Sequence, residues 1–513
     1  MLGALIKQLL ARRRHARALD VHIAQGERFL NAGALHQASQ AVAHAFATGT
    51  PDARALRVRG RIAFESGKYA QAYADYQVAL ALEPNDAPTL LDAAQAMFEM
   101  DRFDESLTLA DRAVAASPGD THAHYCRGLM LREMGRYEEA EATMRRACAV
   151  DERSLEALCG LALVLVDRGC HGEAEKRLRH VLSVDRNHPV ARWQLSVLLL
   201  LQGRFEEGWR HYAARWLLYD TIRPRDLPFW NGKDEPTGPL LVLAEQALGD
   251  EILFASCFDD LLDRTDNVVI ECDPRLAELF ARSFPRAVIC RRDVKSATPA
   301  VVTPTPIAQI AAGSLPALYR PNIASFPQRR GYLRADRAKT EHWRQHLAAL
   351  GPGLKVGLSW RGGTAKTRSA LRSLASADLV PLLHKAGVVF INLQYGDSVG
   401  DRTEMAAMTG CTVHHWPEAL ADYDETAALV AALDLVVTVQ TAVAHLAGAL
   451  GRPVWIMLPA SPEWRYLASG TSLPWYPSAR LFRQRRVADW SEVVASVGSA
   501  LDEHLTFAAS PVA

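Results

Sequence analysis

The sequence predicts an all-helical repeat array followed by an α/β region built on parallel sheets, and two observations carry that expectation. A 34-residue period runs through the first 216 residues. Past Trp216 the period stops, and short β-rich runs alternate with helical stretches. The length agrees, because 513 residues is more than three domains of about 150.

The period is read from position to position. Gly33, Gly67, Asp101, Gly135, Gly169 and Gly203 are spaced by 34 residues. Two positions later stand Leu35, Tyr69, Phe103, Tyr137, His171 and Phe205, and five positions later Ala38, Ala72, Ser106, Ala140, Ala174 and Gly208. Twelve positions after the turn come Ala45, Ala79, Ala113, Ala147, Val181 and, out of pattern, Arg215. The physical reading is a helix, a tight turn that tolerates a left-handed residue, and a second helix whose small residues allow close packing. Pro84 and Pro118 end second helices, as a residue without an N–H does. This set resembles the tetratricopeptide repeat over residues 19–216, in six units with an atypical last one.

A solenoid of such pairs presents the first helix of each unit on a concave face suited to a partner chain. One column there is acidic: Glu65, Glu99, Glu133 and Asp167, again 34 residues apart. Either it receives a basic acceptor or partner, or it is a solvated helix face.

Composition excludes more than it names. The chain is 49% hydrophobic and 23% charged, with 58 basic residues against 58 acidic ones, so it folds and carries no global field for nucleic acid or an anionic membrane. Eight cysteines without CxxC spacing read as reduced thiols of a cytoplasmic protein and give no zinc site. Residues 1–18 are expected to form an N-terminal helix, either capping the repeats or lying on a surface; Arg12 to Arg14 follow the apolar run rather than precede it, which speaks against a secretory signal. No run reaches the ~18 apolar residues that span a bilayer.

A proline- and glycine-bearing linker is expected over 217–238. Strands are then expected at LLVLAEQ (240–246), NVVIEC and AVICRR in one half (239–335), with a loop-rich stretch over 298–340. In the second half (336–507) they are expected at LKVGLSW, VVFINLQ, TVHHW, LDLVVTVQ and PVWIMLP. Ligands of open parallel sheets sit beyond the carboxyl ends of strands, here the loops after 246, 360, 394 and 440. No GxGxxG follows any of these strands, and GGTAKT at 362–367 lacks the first part of a phosphate loop, which disfavours nicotinamide enzymes and P-loop NTPases.

EQALGDEILF (245–254), VGLSWRGG (356–363), NLQYGD (392–397) and LDLVVTVQTAVAHLAGALGRPVWIMLP (433–459) resemble the transferase region of bacterial tetratricopeptide-repeat glycosyltransferases. They are similar to the family 9 heptosyltransferases and, more distantly, to the O-linked N-acetylglucosamine transferases. The resemblance covers roughly residues 228–485. It implies a GT-B architecture of two Rossmann-like halves, the first on the acceptor side and the second on the side of a nucleotide-sugar donor, with no metal and no resident cofactor. The asparagine ladder of the sugar-transferring relatives is not visible, since Asn31, Asn85 and Asn187 are out of register.

Thr441 and Ala442 open a helix directly after a hydrophobic strand, so its first N–H groups are placed for a diphosphate, and His445 follows one turn later. His445 either holds a phosphate or sugar or is a satisfied structural histidine. Gln440 stands where the relatives more usually carry aspartate, and an amide cannot act as a base. By the resemblance Asp250 is the base for an acceptor hydroxyl, with Glu245 and Gln246 on the approach; otherwise it caps the following helix. Arg361, Lys366, Arg368 and Arg372 offer cations to a leaving diphosphate, Lys366 and Arg372 foremost. Gln394 and Tyr395 are expected at the base or ribose. Trp464, Arg465, Trp475, Tyr476 and Arg480 line the cleft or pack the core. The resemblance implies an inverting, metal-independent glycosyltransferase acting on a protein or glycan acceptor, with the repeats recruiting acceptor or partner. The alternative is a repeat scaffold with an inactive or merely nucleotide-binding transferase half.

Overall fold

The computed structural model describes residues 18–47, 52–218, 224–292, 303–363 and 368–509. Residues 1–17 of the expected N-terminal helix and Lys366 lie outside them. The chain forms two compact units, Met1–Arg168 and Gly169–Ala513.

The first unit holds nine described helices: α1 (18–31), α2 (Leu35–Ala47), α3 (Ala53–Glu65), α4 (Tyr69–Leu82), α5 (Ala87–Glu99), α6 (Phe103–Ala116), α7 (Thr121–Glu133), α8 (Tyr137–Val150) and α9 (Leu155–Asp167). The second begins with three more, α10 (His171–Val184), α11 (Pro189–Leu201) and α12 (Phe205–Tyr212). Each second helix of a pair starts on the predicted position: Leu35, Tyr69, Phe103, Tyr137, His171 and Phe205. The turn residues before them are left-handed, Gly67 at φ +73° for example, and Asp101 adopts the same conformation at φ 61° without a glycine's freedom. The small-residue positions are buried, Ala38, Ala72, Ser106, Ala140 and Ala174 completely. A Cβ on Gly60 would lie 2.4 Å from Tyr76 Cε1, so the glycine lets α3 and α4 close on each other.

A further 34-residue ladder sets the start of each first helix. Asp52, Asp86, Asp120, Ser154 and His188 are N-caps whose side chains accept from the backbone N–H of Ala55, Thr89, His122, Ala157 and Ala191.

The second unit continues into two sheets, both wholly parallel. One has the order β3-β2-β1-β4, with β1 (Leu240–Leu243), β2 (Val268–Cys272), β3 (Val288–Arg291) and β4 (Ala308–Ala311). The other has the order β10-β9-β8-β5-β6-β7, with β5 (Leu354–Ser359), β6 (Val388–Asn392), β7 (Val413–His414), β8 (Leu435–Thr438), β9 (Val454–Leu458) and β10 (Ala479–Arg483). β1, β5, β8 and β9 are buried nearly throughout, as strands covered on both faces must be. β4 arises inside the stretch expected to be loop, because AQIA is short and preceded by prolines, and β10 follows a turn-rich run.

Two features depart from the expected boundaries. The segment 225–230, expected as linker, is bonded to β4: buried Gln309 accepts from Arg225 N (2.9 Å) and donates to Arg225 O and Leu227 O, and Trp230 N donates to Gln309 O. The last repeat helices, α11 and α12, share a core with the α/β elements. Trp209 and Tyr212 of α12 pack edge-on against Trp464 at 5.5 and 5.9 Å, and Ala468 N donates to Leu201 O. Out-of-pattern Arg215 forms a bidentate pair with Glu245 at 2.7 and 2.8 Å, both side chains being almost wholly buried.

Candidate functional site

The carboxyl ends of β1 and β8 each lead into a helix, Leu248–Phe254 and Ala442–Ala449, and the two helices meet. Gly249 permits it, since a Cβ there would lie 3.0 Å from His445 Cδ2 and 3.5 Å from Ala442 Cα. Gln246, which enters the first helix, is held at φ 63° and donates to Tyr212 Oη at 3.1 Å. The ends of two parallel sheets therefore converge on one place, with the loops after residues 246 and 440 facing each other.

A chain of charges joins those loops. Asp250, in the first turn of its helix, accepts from Ala247 N (3.2 Å) and pairs with Arg465. Arg465 also pairs with Glu463, which pairs with Arg372 Nη1 at 2.8 Å, and Arg372 Nη2 donates to Gln440 O at 3.3 Å. Burial pushes the Asp250 carboxyl above its ordinary value, against the pull of Arg465. Burial acts the same way on Glu463, but Arg465 and Arg372 overcome it and hold that carboxyl low. Asp250 thus both sits in a helix's first turn, as a capping residue does, and faces the opposite half, where Arg465 holds it.

Gln440 is 2% exposed. Its Oε1 accepts from Glu463 N at 3.3 Å, while its Nε2 is buried with no hydrogen-bond partner. Thr441 is the N-cap of the helix Ala442–Ala449, its hydroxyl accepting from Val443 N at 3.2 Å and lying 3.1 Å from Thr438 Oγ1. Thr441 and Ala442, which opens the helix, are both half-buried at the helix N-terminus.

Other expected site residues are spent on structure. His445 is buried between two phenols, Nδ1 at 3.0 Å from Tyr476 Oη and Nε2 at 3.3 Å from Tyr466 Oη. Burial and the neighbouring Arg465 push it down to about 3, so it is a neutral, satisfied core histidine with no nitrogen left for a phosphate. Gln394 is buried, and its Oε1 receives Trp360 N (3.1 Å), Arg361 N (2.8 Å) and Ser359 Oγ (3.3 Å) while its Nε2 donates to Tyr395 O. It fastens the loop after β5 to the loop after β6, and its Oε1 is filled by these three donors. Tyr395, by contrast, projects into solvent. Glu245 is the buried partner of Arg215 and also accepts from Gly313 N at 2.6 Å, so it is no part of the approach. Trp464, Trp475 and Tyr476 belong to the core, and Arg480 lies over Trp455 and Phe482. The signal for Glu245 was present in Arg215, a charge at a position the other repeats fill with alanine or valine. Glu463 stands in SPEWRYL (461–467), a run that extends the resemblance, but nothing there marks its pairing with Arg372. Among the described residues no group of three His, Cys, Asp or Glu side chains is placed to hold a metal ion.

In the first unit, α5, α7 and α9 line a groove of about 540 Å³ with an apolar floor including Leu91, Phe98 and Met130. The acidic column runs along helix ends here, Glu65, Glu99, Glu133 and Asp167 being the last residues of α3, α5, α7 and α9. Glu99 and Glu133 line the groove and Glu65 is exposed. Asp167 is buried and, like Glu133, paired with Arg132, so it presents no charge to an incoming chain.

The class defined by these elements is a helical-repeat chain continuing into an α/β domain of parallel sheets. Tetratricopeptide-repeat models match residues 23–87, 63–128 and 121–154, which gives the chain a protein-interaction module. The chain is 35% identical over 335 residues to Protein FlbA of Caulobacter vibrioides, covering 61% of this chain and 55% of that protein. It therefore spans about half the length of the curated relative it matches. Among solved structures it is similar to a tetratricopeptide repeat protein from Parabacteroides merdae (20% identity, TM-score 0.34, 39% of this chain and 80% of that one). A thermophilic TPR protein from Thermus thermophilus gives 19% identity and a TM-score of 0.33, over 36% of this chain and 99% of that one. No described helix is long and apolar enough to cross a membrane.

Proposed function

We propose that this chain is a glycosyltransferase of GT-B type, moving a sugar from a nucleotide-sugar donor to a protein or glycan acceptor that the repeats recruit. The observation that carries the reading is the buried, unpartnered Nε2 of Gln440 beside a helix N-terminus, where the carboxyl ends of two parallel sheets converge. In this reading the first turn at Thr441 and Ala442 receives the diphosphate and Gln440 donates to a phosphate or sugar oxygen. Arg372 offsets the leaving charge, and Asp250 takes the acceptor's proton once Arg465 turns to Glu463 alone. His445 and Gln394 hold the walls. The reaction needs no metal in this scheme.

One observation favours a second reading, a scaffold with a silent α/β half: Asp250 is already occupied by Arg465 and by the N–H of Ala247. A thermal-shift panel of UDP, GDP, ADP, dTDP and CMP sugars on the full chain separates the two. Stabilisation by one nucleotide class, lost in Gln440→Leu, supports the donor site that transfer requires. No shift with any of them leaves the scaffold.

A further inference from the structure

Outside the converging loops, the repeat groove holds a second group of reactive side chains. His122 and Cys126 are one turn apart on α7, so their side chains stand together, with His122 Nε2 at 3.5 Å from Cys126 Sγ. Glu156, at the position equivalent to His122 one repeat later on α9, lies with Oε2 at 3.4 Å from His122 Nδ1. Tyr125 stacks on the imidazole with centroids 6.1 Å apart. The connectivity is thiol to imidazole to carboxylate, the order in which a sulfur nucleophile is activated and its base oriented. All four side chains line the groove.

We propose that Cys126 is a thiol-modification site, activated by His122 and Glu156, that reacts with low-molecular-weight disulfides and thereby places an adduct in the repeat groove. The Cys126 sulfur attacks one sulfur of R–S–S–R, the Cys126–S–S–R bond forms as the S–S bond breaks, and RS⁻ leaves, taking its proton from His122. No other oxidant is required, and an external thiol reverses the step. Hydrogen bonds donated by the imidazole to Cys126 and Glu156 push it up to about 10, so it carries that proton at neutral pH. The other charged or titratable groups facing the cavity are Asp92 and Glu99 on α5 and Arg132 and Glu133 on α7. Asp92 is paired with Arg57 and Glu133 with Arg132, and Glu156 is the carboxylate that lies against His122 Nδ1. Exchange at sulfur is assigned because it needs only a thiol, a proton carrier and a departing thiolate, and Cys126 and His122 supply the first two. Cys159 marks the contrast: it is buried, and desolvation pushes its thiol up to about 12. The proposal does not depend on the transferase reading, because it concerns only side chains of α7 and α9.

The test is peptide mapping by mass spectrometry after brief exposure of the full chain to iodoacetamide, and separately to oxidised glutathione, between pH 6 and 8. The exposed Cys170 is the internal comparator. At pH 6.5 Cys126 is expected to react about tenfold faster than Cys170 and to form a glutathione adduct that dithiothreitol removes. His122→Gln is expected to erase that advantage and Glu156→Gln to reduce it, with helical circular dichroism unchanged. Equal rates at Cys126 and Cys170 in the native chain overturn the proposal, and so does a Cys126 rate unmoved by both substitutions. Should His122→Gln unfold the repeats, Glu156→Gln and the native comparison still decide it.

Discussion

Replacing Arg215 with methionine tests whether the last repeat is welded to the α/β domain by a buried ion pair. The substitution removes two charge-assisted hydrogen bonds to Glu245, at 2.7 and 2.8 Å, and the guanidinium stacked 4.5 Å over Tyr212 and 4.7 Å over Trp216. Glu245 is left wholly buried with only Gly313 N and the more distant Gln246 amide as donors. Breaking a buried pair by removing one partner costs about 3–5 kcal/mol, because the remaining charge is uncompensated. Two hydrogen bonds to charged groups, at about 1.5–3 kcal/mol each, give about 3–6 kcal/mol, which overlaps that range. Adding Glu245→Gln removes the stranded charge and should restore all but about 1–2 kcal/mol. The assay is guanidinium unfolding followed by tryptophan fluorescence, which reports the second unit alone, since all 11 tryptophans lie between Trp193 and Trp490. A loss under about 1 kcal/mol in Arg215→Met, or a double variant no more stable than the single one, would refute the argument.

Glu251 gives a pH signature: burial pushes its carboxyl from 4.5 up to about 7, against the Asp273 N–H and Arg292. The folded state therefore holds a proton that the unfolded chain releases earlier, so stability falls as pH rises from about 4.5 to about 7, by at most about 3 kcal/mol. Glu251→Gln should flatten that part of the stability profile, and an unchanged slope in denaturant titrations across pH 4.5–8 excludes the assignment. Asp101→Gly should stabilise the first unit by about 0.5–1 kcal/mol by relieving a left-handed aspartate, read as slower amide exchange around the α5–α6 turn. Asp86→Ala should cost about 1 kcal/mol, because Thr89 loses both its backbone and hydroxyl bonds to the cap, and the exchange of α5's first turn should rise. A chain starting at residue 217 lacks Trp209, Tyr212 and Arg215 and should melt lower in tryptophan fluorescence than the full chain; equal melting would show those contacts idle.

The repeats were legible because helix packing imposes one register on every unit: the turn needs a left-handed residue and the contact between helices needs a small one, so the same positions recur. The N-cap ladder at Asp52, Asp86, Asp120, Ser154 and His188 obeys the same period, but its changing residue type hid it. The α/β strands were legible as apolar runs, whereas β4 (AQIA) and β10 (ARLFR) are broken by polar residues and follow proline- and turn-rich stretches. Thr441 was readable as an N-cap from local chemistry alone. His445 and Gln394 were not readable, because their roles are fixed by Tyr466, Tyr476, Trp360 and Arg361, residues distant in sequence that the fold brings within hydrogen-bond reach.

The Asp250–Arg465–Glu463–Arg372 chain bears on whether the proposed base can act. Freeing Asp250 from Arg465 would strand a buried guanidinium if that were its sole partner, and such a rupture costs several kcal/mol. Arg465 instead holds two carboxylates, so it keeps Glu463 when Asp250 departs, and its face stays over Trp464 at 5.0 Å. Glu463 in turn keeps Arg372, which is anchored on Gln440 O. The loss is then one charge-assisted hydrogen bond, about 1.5–3 kcal/mol, within what a bound acceptor hydroxyl and donor phosphate can offset. By the same logic Glu463→Gln, which removes the reserve carboxylate, should lock Asp250 to Arg465 and lower turnover more than it lowers nucleotide affinity. A variant with native turnover would mean that Asp250 is never released, leaving it the structural clasp between the two sheets that its present contacts already make it.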